Sequence, residues 1–135
     1  MSIHKFAIEI LTPEKTFYEG EIESLIVETS EGKIGILAGH SPLVIGLIPG
    51  VVKMKTNEEE ELTAVNSEGF VEVRPGKTVI LCQTMEWPEE VEPNRVAKAI
   101  EEHERILRQA RSATEYKLSR ATLARAFARM RVLKK

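Results

Sequence analysis

The residues best suited to chemistry are four arginines near the C-terminal end of the chain: Arg120, Arg125, Arg129 and Arg131. Arg125 and Arg129 are four residues apart, so they share one face if this segment is helical. Guanidinium groups bind carboxylates and phosphates through paired hydrogen bonds. The pattern is therefore compatible with a solvated face, a dock for an acidic protein surface, a phosphate or nucleotide site, or a nucleic-acid interface.

Residues typical of catalysis or metal binding are sparse elsewhere. The chain contains no aspartate, and its three histidines are widely separated, so neither a catalytic triad nor a metal site is predicted. His40 is flanked by Gly39 and Ser41, and we interpret it as a loop residue bonded to nearby backbone. The single cysteine, Cys82, is interpreted as a buried strand residue. Residues 1–85 are expected to be a scaffold without catalysis.

The elements that position these residues are of two kinds, and the first is a run of short strands. Phe6, Ile8 and Ile10 alternate with less apolar residues, which is typical of a half-buried strand. About 8–10 such segments, separated by turns, predict an antiparallel β-sandwich or barrel. The predicted strands are residues 3–11, 17–20, 21–28, 33–37, 43–48, 51–55, 62–66, 69–74 and 78–84.

The second kind of element is helical and follows a Pro/Glu-rich hinge at 87–90. Pro93 suits a first helical turn, and Thr114 is the predicted N-cap of a second helix. Apolar residues recur at helical spacing in both segments, which predicts an antiparallel helical hairpin. The stripe of the first helix is Val96, Ala99, Ile100, His103, Ile106, Leu107 and Ala110. The stripe of the second is Leu118, Leu123, Ala126, Phe127, Met130 and Leu133.

These two parts carry opposite charge, and we predict two domains, 1–87 and 88–135. Residues 92–135 hold 12 Lys and Arg against 5 Glu, a net charge of +7. Residues 1–91 hold 7 Lys and Arg against 16 Glu, a net charge of −9. The second helix is also rich in alanine, which buries little area per residue. Charge asymmetry of this size indicates a partner or a docking surface inside the molecule, and a hairpin held less tightly than the sandwich core would be able to detach.

The sequence predicts no membrane insertion. The first residues alternate instead of forming an apolar run, so no signal peptide is expected. The longest apolar stretch, residues 43–52, is interrupted by glycine and proline and is much shorter than a span of about 20 residues. Any association with a membrane is expected to come through partner proteins.

Two segments carry a resemblance to a known family. Residues 30–44, SEGKIGILAGHSPLV, and residues 68–76, EGFVEVRPG, resemble two signature segments of the epsilon subunit of bacterial F-type ATP synthases. The order of a sandwich, a hinge and a two-helix domain with an arginine- and alanine-rich last helix is also similar. The resemblance covers essentially the whole chain.

This resemblance implies a non-catalytic central-stalk subunit, a monomer within its complex, at the cytoplasmic face of the membrane. The sandwich would couple the gamma subunit to the ring of c subunits, with His40 facing gamma and the turn at Glu31, Gly32 and Lys33 facing the ring. The helices would permit turnover when folded down. When extended, they would inhibit ATP hydrolysis by pressing Arg120, Arg125, Arg129 and Arg131 against a catalytic beta subunit of the alpha–beta assembly. The translocated ion, proton or sodium, stays open.

Some members of this family bind ATP in the folded hairpin, and the matching motif here is residues 91–96, VEPNRV. The resemblance makes Glu92, Arg95, Arg125 and Arg129 the candidate ATP-binding residues. Glu92, Val96 and Leu118 depart from the family pattern. We therefore predict weak or no ATP binding, with ATP at most a regulatory ligand and no required cofactor.

Two other functions are compatible with parts of the sequence. A nucleic-acid-binding protein would use the basic second helix, and its binding would depend strongly on salt. The acidic sandwich and the lack of an aromatic stacking platform count against it, so no nucleic-acid partner is expected. A small-ligand-binding sandwich enzyme is the third candidate, but no constellation of residues supports it.

Overall fold

A computed structural model describes residues 4–133, in which ten β-strands are followed by two α-helices. The strands form two five-stranded sheets that pack face to face without closing into a barrel. This confirms the predicted β-sandwich followed by a helical hairpin. The described residues do not include 1–3 and 134–135, which belong to the two predicted domains. Ile3, the predicted start of the first strand, is among them.

The first sheet has the strand order β2-β1-β9-β8-β5. Its pairs are antiparallel except that of β1 and β9, which run parallel with Leu11 opposite Leu81. The sequence did not predict this parallel pair, because alternation of side chains does not record strand direction. The strands are β1 (Phe6–Leu11), β2 (Thr16–Ile22), β5 (Leu43–Leu47), β8 (Gly69–Arg74) and β9 (Lys77–Cys82).

The second sheet has the order β10-β7-β6-β3-β4, and its pairs are antiparallel. β6 ends at Asn57 and β7 begins at Glu60, so the turn between them consists of Glu58 and Glu59 and both strands are longer than predicted. β10 was not predicted because a two-residue strand leaves no period to detect. The strands are β3 (Ser24–Thr29), β4 (Gly32–Leu37), β6 (Gly50–Asn57), β7 (Glu60–Asn66) and β10 (Met85–Glu86).

The predicted single strand over residues 21–28 is wrong, because the chain passes from one sheet to the other at Glu23. β2 ends at Ile22 and β3 begins at Ser24. Ile22 and Leu25 are both fully buried, so the inward-facing positions shift by one residue at Glu23. Three consecutive apolar residues, 25–27, concealed that shift in the sequence.

The sandwich core lies between the sheets. Ile8 and Ile10 of β1 are fully buried, as the alternation predicted, and Ile80 of the central strand β9 is fully buried beside them. Cys82 is also buried, as expected, and burial raises the pKa of its thiol to about 11 because the thiolate would lose its hydration.

Two helices follow a single 3-10 turn at Pro88–Glu90: α1 (Pro93–Arg108) and α2 (Ala113–Leu133). Pro93 occupies the first turn of α1, as predicted, and the Glu92 carboxylate accepts a hydrogen bond from Asn94 N at 3.2 Å. The predicted N-cap Thr114 is wrong. Ser112 caps α2 instead, because its Oγ accepts from Glu115 N at 3.1 Å, and Thr114 already lies inside the helix.

The buried face of α2 also differs from the prediction. Leu123 and Ala126 are buried as expected, but Leu118 and Phe127 are 66% and 45% exposed. Their places are taken by residues that include Ala128, together with Ser119 and Val132. Small side chains allow this helix to lie close to its support, whereas the larger ones point away from it.

Candidate functional site

The helical hairpin rests on the outer face of the second sheet, where α2 contacts β6 and β7. The contact forms an apolar cluster separate from the sandwich core. Its buried members are Val65, Val91, Val96, Ala126, Ala128 and Val132. Since burial stabilises by about 25 cal/mol per Å² of apolar surface, valines and alanines hold this contact less strongly than the large residues of the core hold the sandwich.

Ion pairs reinforce this apolar contact. Three of the four predicted arginines of α2 bind glutamates of the sandwich, so the basic hairpin does rest on acidic residues of the base. The sequence did not single out these glutamates, since nothing local distinguishes them from the other acidic residues. The nitrogen–oxygen distances are 2.9 Å for Arg125–Glu68, 2.5 Å for Arg129–Glu86 and 3.1 Å for Arg131–Glu28.

The fourth arginine, Arg120, is arranged differently. Its guanidinium lies 5.9 Å from the centroid of the Tyr116 ring, one helical turn earlier on α2. This is a cation–π contact within the helix. Arg120 is exposed, and within residues 4–133 it makes no ion pair with the sandwich, unlike the other three arginines.

A two-residue turn at Ser30 and Glu31 joins β3 to β4, so Gly32 and Lys33 are the first residues of β4, and Glu31, Gly32 and Lys33 are all exposed. Gly32 has φ = +116°, a conformation that favours glycine. Thr29 Oγ1 donates to Gly32 O at 2.8 Å and accepts from Glu31 N at 3.1 Å, so the turn is held by side-chain hydrogen bonds at its base. The three predicted contact residues therefore lie together at the end of the second sheet where β3 connects to β4.

His40 lies in the loop between β4 and β5, and its Nδ1 is 2.7 Å from Ser41 O. A carbonyl oxygen only accepts, so Nδ1 carries the proton and donates. His40 N also donates to Leu37 O at 3.1 Å. The interpretation of His40 as a loop residue bonded to nearby backbone is confirmed.

The start of the hinge is fixed by aromatic contacts. The Trp87 ring lies 4.5 Å from the Phe17 ring and 6.2 Å from the Tyr18 ring, measured between centroids. Trp87 N donates to Glu90 Oε1 at 2.8 Å, which stabilises the 3-10 turn that follows. These contacts hold Trp87 against β2 of the sandwich.

Three of the four candidate ATP-binding residues line one cavity of about 300 Å³ between the hinge and the two helices: Glu92, Arg95 and Arg129. The fourth, Arg125, is directed to Glu68 on the sandwich. The cavity is also lined by Glu86, Glu90, Val96, Ala99 and Ala126. Three carboxylates therefore face two guanidiniums, and one guanidinium is already paired with Glu86. This charge balance does not fit a polyphosphate.

An apolar surface that the sequence did not identify lies on the outer face of the first sheet. Phe70 pairs with Leu81, and Leu81 pairs with Leu11, so the three side chains form one row across β8, β9 and β1. They line a cavity of about 750 Å³. Val44 of β5 continues the surface; it is 65% exposed and Phe70 is 44% exposed. The docked hairpin lies on the other sheet and leaves this face open.

Two negative findings concern residues 4–133. No three His, Cys or Glu side chains in this part of the chain are grouped so that they could hold a metal ion. Neither α1 nor α2 is long and apolar enough to cross a membrane.

Comparison with known proteins identifies the class to which this architecture belongs. The family model described as "ATP synthase, Delta/Epsilon chain, beta-sandwich domain" matches residues 5–88. The ATP synthase epsilon chain of Ruminiclostridium cellulolyticum is 39% identical over 125 residues, covering 93% of this chain and 92% of that protein. The epsilon chain of Caldanaerobacter subterraneus subsp. tengcongensis is 40% identical over 131 residues, with coverage of 96% and 94%.

Solved structures show the same fold. A chain in the cryo-EM structure of the Euglena gracilis mitochondrial ATP synthase (OSCP, F1 and c-ring) has a TM-score of 0.85 and 22% identity, covering 96% of this chain and 81% of that one. A chain in the central stalk and c-ring structure of the Tetrahymena thermophila mitochondrial ATP synthase has a TM-score of 0.71 and 12% identity, with coverage of 98% and 99%.

The matched sandwich model and the fold define an ATP synthase delta/epsilon-type subunit, in which a β-sandwich precedes a helical hairpin. The identity to relatives over nearly the full length is more specific. The chain belongs to the ATP synthase epsilon chain family.

Proposed function

We propose that this chain is a non-catalytic central-stalk subunit of an F-type ATP synthase. In this proposal the sandwich couples the gamma subunit to the c ring, and the helical hairpin, residues 88–135, is a regulatory domain that inhibits ATP hydrolysis when it extends. The family assignment supports the setting, and the similar structures belong to assemblies described as containing a c-ring and, in one case, a central stalk. The complex would hold the chain peripherally at the cytoplasmic face of the membrane.

The observation that carries the regulatory part is that small apolar residues and partly exposed ion pairs form the contact between hairpin and sandwich. Arg125, Arg129 and Arg131 bind carboxylates of the sandwich, but each pair remains partly exposed. Exposed or half-exposed ion pairs contribute little each, typically below about 1 kcal/mol. The same arginines, released, would suit an acidic surface of a beta subunit, so the two positions of the hairpin compete for one set of charges.

The sandwich offers two separate surfaces for coupling. The apolar row of Leu11, Phe70 and Leu81, continued by Val44, is a surface of the kind that marks protein–protein contacts, and we assign it to the gamma subunit. His40, in the loop that leads into β5, lies in the chain just before Val44 and belongs to the same assignment. The exposed residues 31–33, where β3 connects to β4, are assigned to the c ring.

In this proposal ATP does not bind the hairpin strongly. Glu92 caps α1 through Asn94 N, and Arg129 is paired with Glu86. A bound triphosphate would have to break that pair and approach Glu86, Glu90 and Glu92 together, which like charges disfavour. We therefore propose that the position of the hairpin is governed by protein contacts, with ATP at most a weak ligand.

The experiment that tests the function is truncation of the chain after Glu90 in a reconstituted ATP synthase. Hydrolysis is expected to rise because the inhibitory hairpin is gone, while ion translocation remains coupled because the sandwich remains. A rate of hydrolysis equal to that of the complex with the full chain would contradict the inhibitory role. Loss of coupling between hydrolysis and ion translocation would contradict the assignment of coupling to the sandwich alone.

A further inference from the structure

Glu28 of β3 binds the end of α2 that lies farthest from the hairpin turn. Arg131 Nη1 donates to its two carboxylate oxygens at 3.1 and 3.2 Å. We propose that Glu28 is the anchor of the docked hairpin, so that its loss releases the hairpin more than the loss of Glu68 or Glu86 does. The inference rests on the proposed function, since it requires a hairpin that docks and undocks.

The Glu28 side chain is positioned independently of the hairpin. Val51 N, on β6, donates to Glu28 Oε2 at 3.0 Å. The side chain is only 11% exposed, against 28% for Glu86 and 47% for Glu68. Arg131, itself 51% exposed in the docked structure, thus meets a carboxylate that Val51 N already orients, so docking there costs less side-chain entropy.

Gly50 makes room for this carboxylate. A Cβ atom added at Gly50 would lie 2.8 Å from Glu28 Cδ and 2.9 Å from Glu28 Cβ, closer than atoms approach without a shift. Ile48 N also donates to the Glu28 carbonyl oxygen at 3.2 Å, so the turn before β6 is tied to the same residue. The pocket for the carboxylate is therefore built by the sandwich.

The surrounding charges make Glu28 hard to replace. Lys33 lies directly opposite Glu28 across β3 and β4, and it lines a cavity of about 210 Å³ together with Lys53, Arg131 and Glu28. In that lining Glu28 is the carboxylate among three cations. Removing its charge leaves the cations to repel one another, so attraction at the end of α2 turns into repulsion.

In the two neighbouring ion pairs, the glutamate is not a lone carboxylate among several cations. Around Arg129, the hinge cavity presents Glu90 and Glu92 in addition to Glu86, so loss of Glu86 leaves other carboxylates nearby. Glu68 is about half exposed, so its attraction for Arg125 is screened by water. All three pairs join an arginine to a glutamate, but their surroundings make the loss of Glu28 the most disruptive to docking.

The test compares E28Q, E68Q and E86Q in the full chain. Spin labels on cysteines introduced at Lys117 of α2 and Glu59 of the sandwich would report the ratio of undocked to docked hairpin from their distance distribution. E28Q is expected to raise this ratio about tenfold, and each of the other two variants about threefold or less. The glutamine side chain of E28Q keeps an oxygen for Val51 N, so the change is one of charge.

A second variant tests the geometry without altering charge. G50A displaces the Glu28 side chain and is expected to favour undocking as E28Q does, whereas the matched control G35A, whose added Cβ meets nothing within 4 Å, leaves the ratio unchanged. An effect of E68Q or E86Q as large as that of E28Q would overturn the anchor while leaving the proposed function intact. If the combined E28Q/E68Q/E86Q variant stayed docked, the apolar contact alone would hold the hairpin and the anchor would likewise be overturned, whereas the truncation after Glu90 tests the proposed function separately.

Discussion

Arg129 Nε donates to Glu86 Oε1 at 2.5 Å, and this contact joins α2 to β10, the last strand before the hinge. The arginine belongs to the part that is proposed to move, and the glutamate to the part that stays. Removing one or the other should therefore have opposite effects on regulation, because a released hairpin still needs its arginines to reach an acidic partner, but no longer needs the sandwich glutamates.

The first prediction concerns these opposite signs. In a reconstituted complex, E28Q/E68Q/E86Q should lower ATP hydrolysis several-fold, since it weakens only the docked position. R125A/R129A/R131A should raise hydrolysis toward the rate of the chain truncated after Glu90, since it also removes the inhibitory contact. Steady-state hydrolysis rates check both. The expected changes follow from ion pairs that contribute on the order of 1 kcal/mol each, with the pair of Glu28 contributing the most.

The matched control removes three arginines that make no ion pair with the sandwich within residues 4–133: Arg105, Arg108 and Arg111. Their triple alanine variant loses the same total charge and should change hydrolysis little. If E28Q/E68Q/E86Q and R125A/R129A/R131A shifted the rate of hydrolysis in the same direction, competition between two acidic surfaces for the same arginines would be the wrong explanation.

A second prediction concerns ATP. Titration calorimetry with Mg-free ATP should detect no low-micromolar binding to the wild-type chain, because Glu86, Glu90 and Glu92 face the cavity in which Arg95 and Arg129 lie. The variant E86Q/E90Q, which removes two negative charges, should bind ATP at least several-fold more tightly. A low-micromolar constant for the wild type would show that the charge balance of the cavity does not decide nucleotide binding.

The third prediction concerns the apolar face of the first sheet. V44S/F70S should weaken binding to the gamma subunit by about a hundredfold, because large exposed apolar residues near the centre of an interface carry much of its energy. Surface plasmon resonance with purified gamma would measure it. The control is L118S, since Leu118 is about as exposed as Val44 but lies on α2. If L118S weakened binding to the gamma subunit as much as V44S/F70S does, the apolar face would not be the gamma-binding surface.

The sequence predicted the layers of the fold better than it predicted the positions within them. Alternation in β1 identified Ile8 and Ile10 as core residues. The passage from one sheet to the other at Glu23 was missed, because the three consecutive apolar residues 25–27 are compatible with either side of the strand facing the core. Periodicity placed Phe127 in the stripe of α2, yet the close approach to β7 selects small residues such as Ala128.

The candidate site was predictable to a similar extent. The charge of the two halves indicated a partner or an internal docking surface, and the structure shows the second, through Arg125, Arg129 and Arg131. Their partners could not be chosen among the sandwich glutamates, because the choice depends on which strands reach the outer face under α2. The burial of Glu28 and its bond to Val51 N arise from tertiary packing and leave no local signal.

The fourth prediction explains a glycine in the second signature segment. A Cβ atom at Gly69 would lie 2.1 Å from Leu81 O and 2.7 Å from Cys82 Cα, both backbone atoms of the adjacent strand β9. G69A should therefore lower the free energy of unfolding by about 3 kcal/mol, measured by urea denaturation. G35A, with open space at its Cβ, should change it by less than about 0.5 kcal/mol. Similar values for the two variants would contradict this role of Gly69.

The last prediction uses the buried thiol of Cys82. Burial raises its pKa to about 11, so the folded chain holds this proton more tightly than the unfolded chain does. The stabilisation is complete below the ordinary thiol pKa and is lost as the pH rises from about 9 to about 11, an effect of about 2 to 3 kcal/mol. C82A lacks the titrating group and should show a shallower loss of stability over this range, measured by urea denaturation at each pH. Parallel stability profiles for C82A and the wild type would mean that the thiol does not ionise on unfolding as its burial requires.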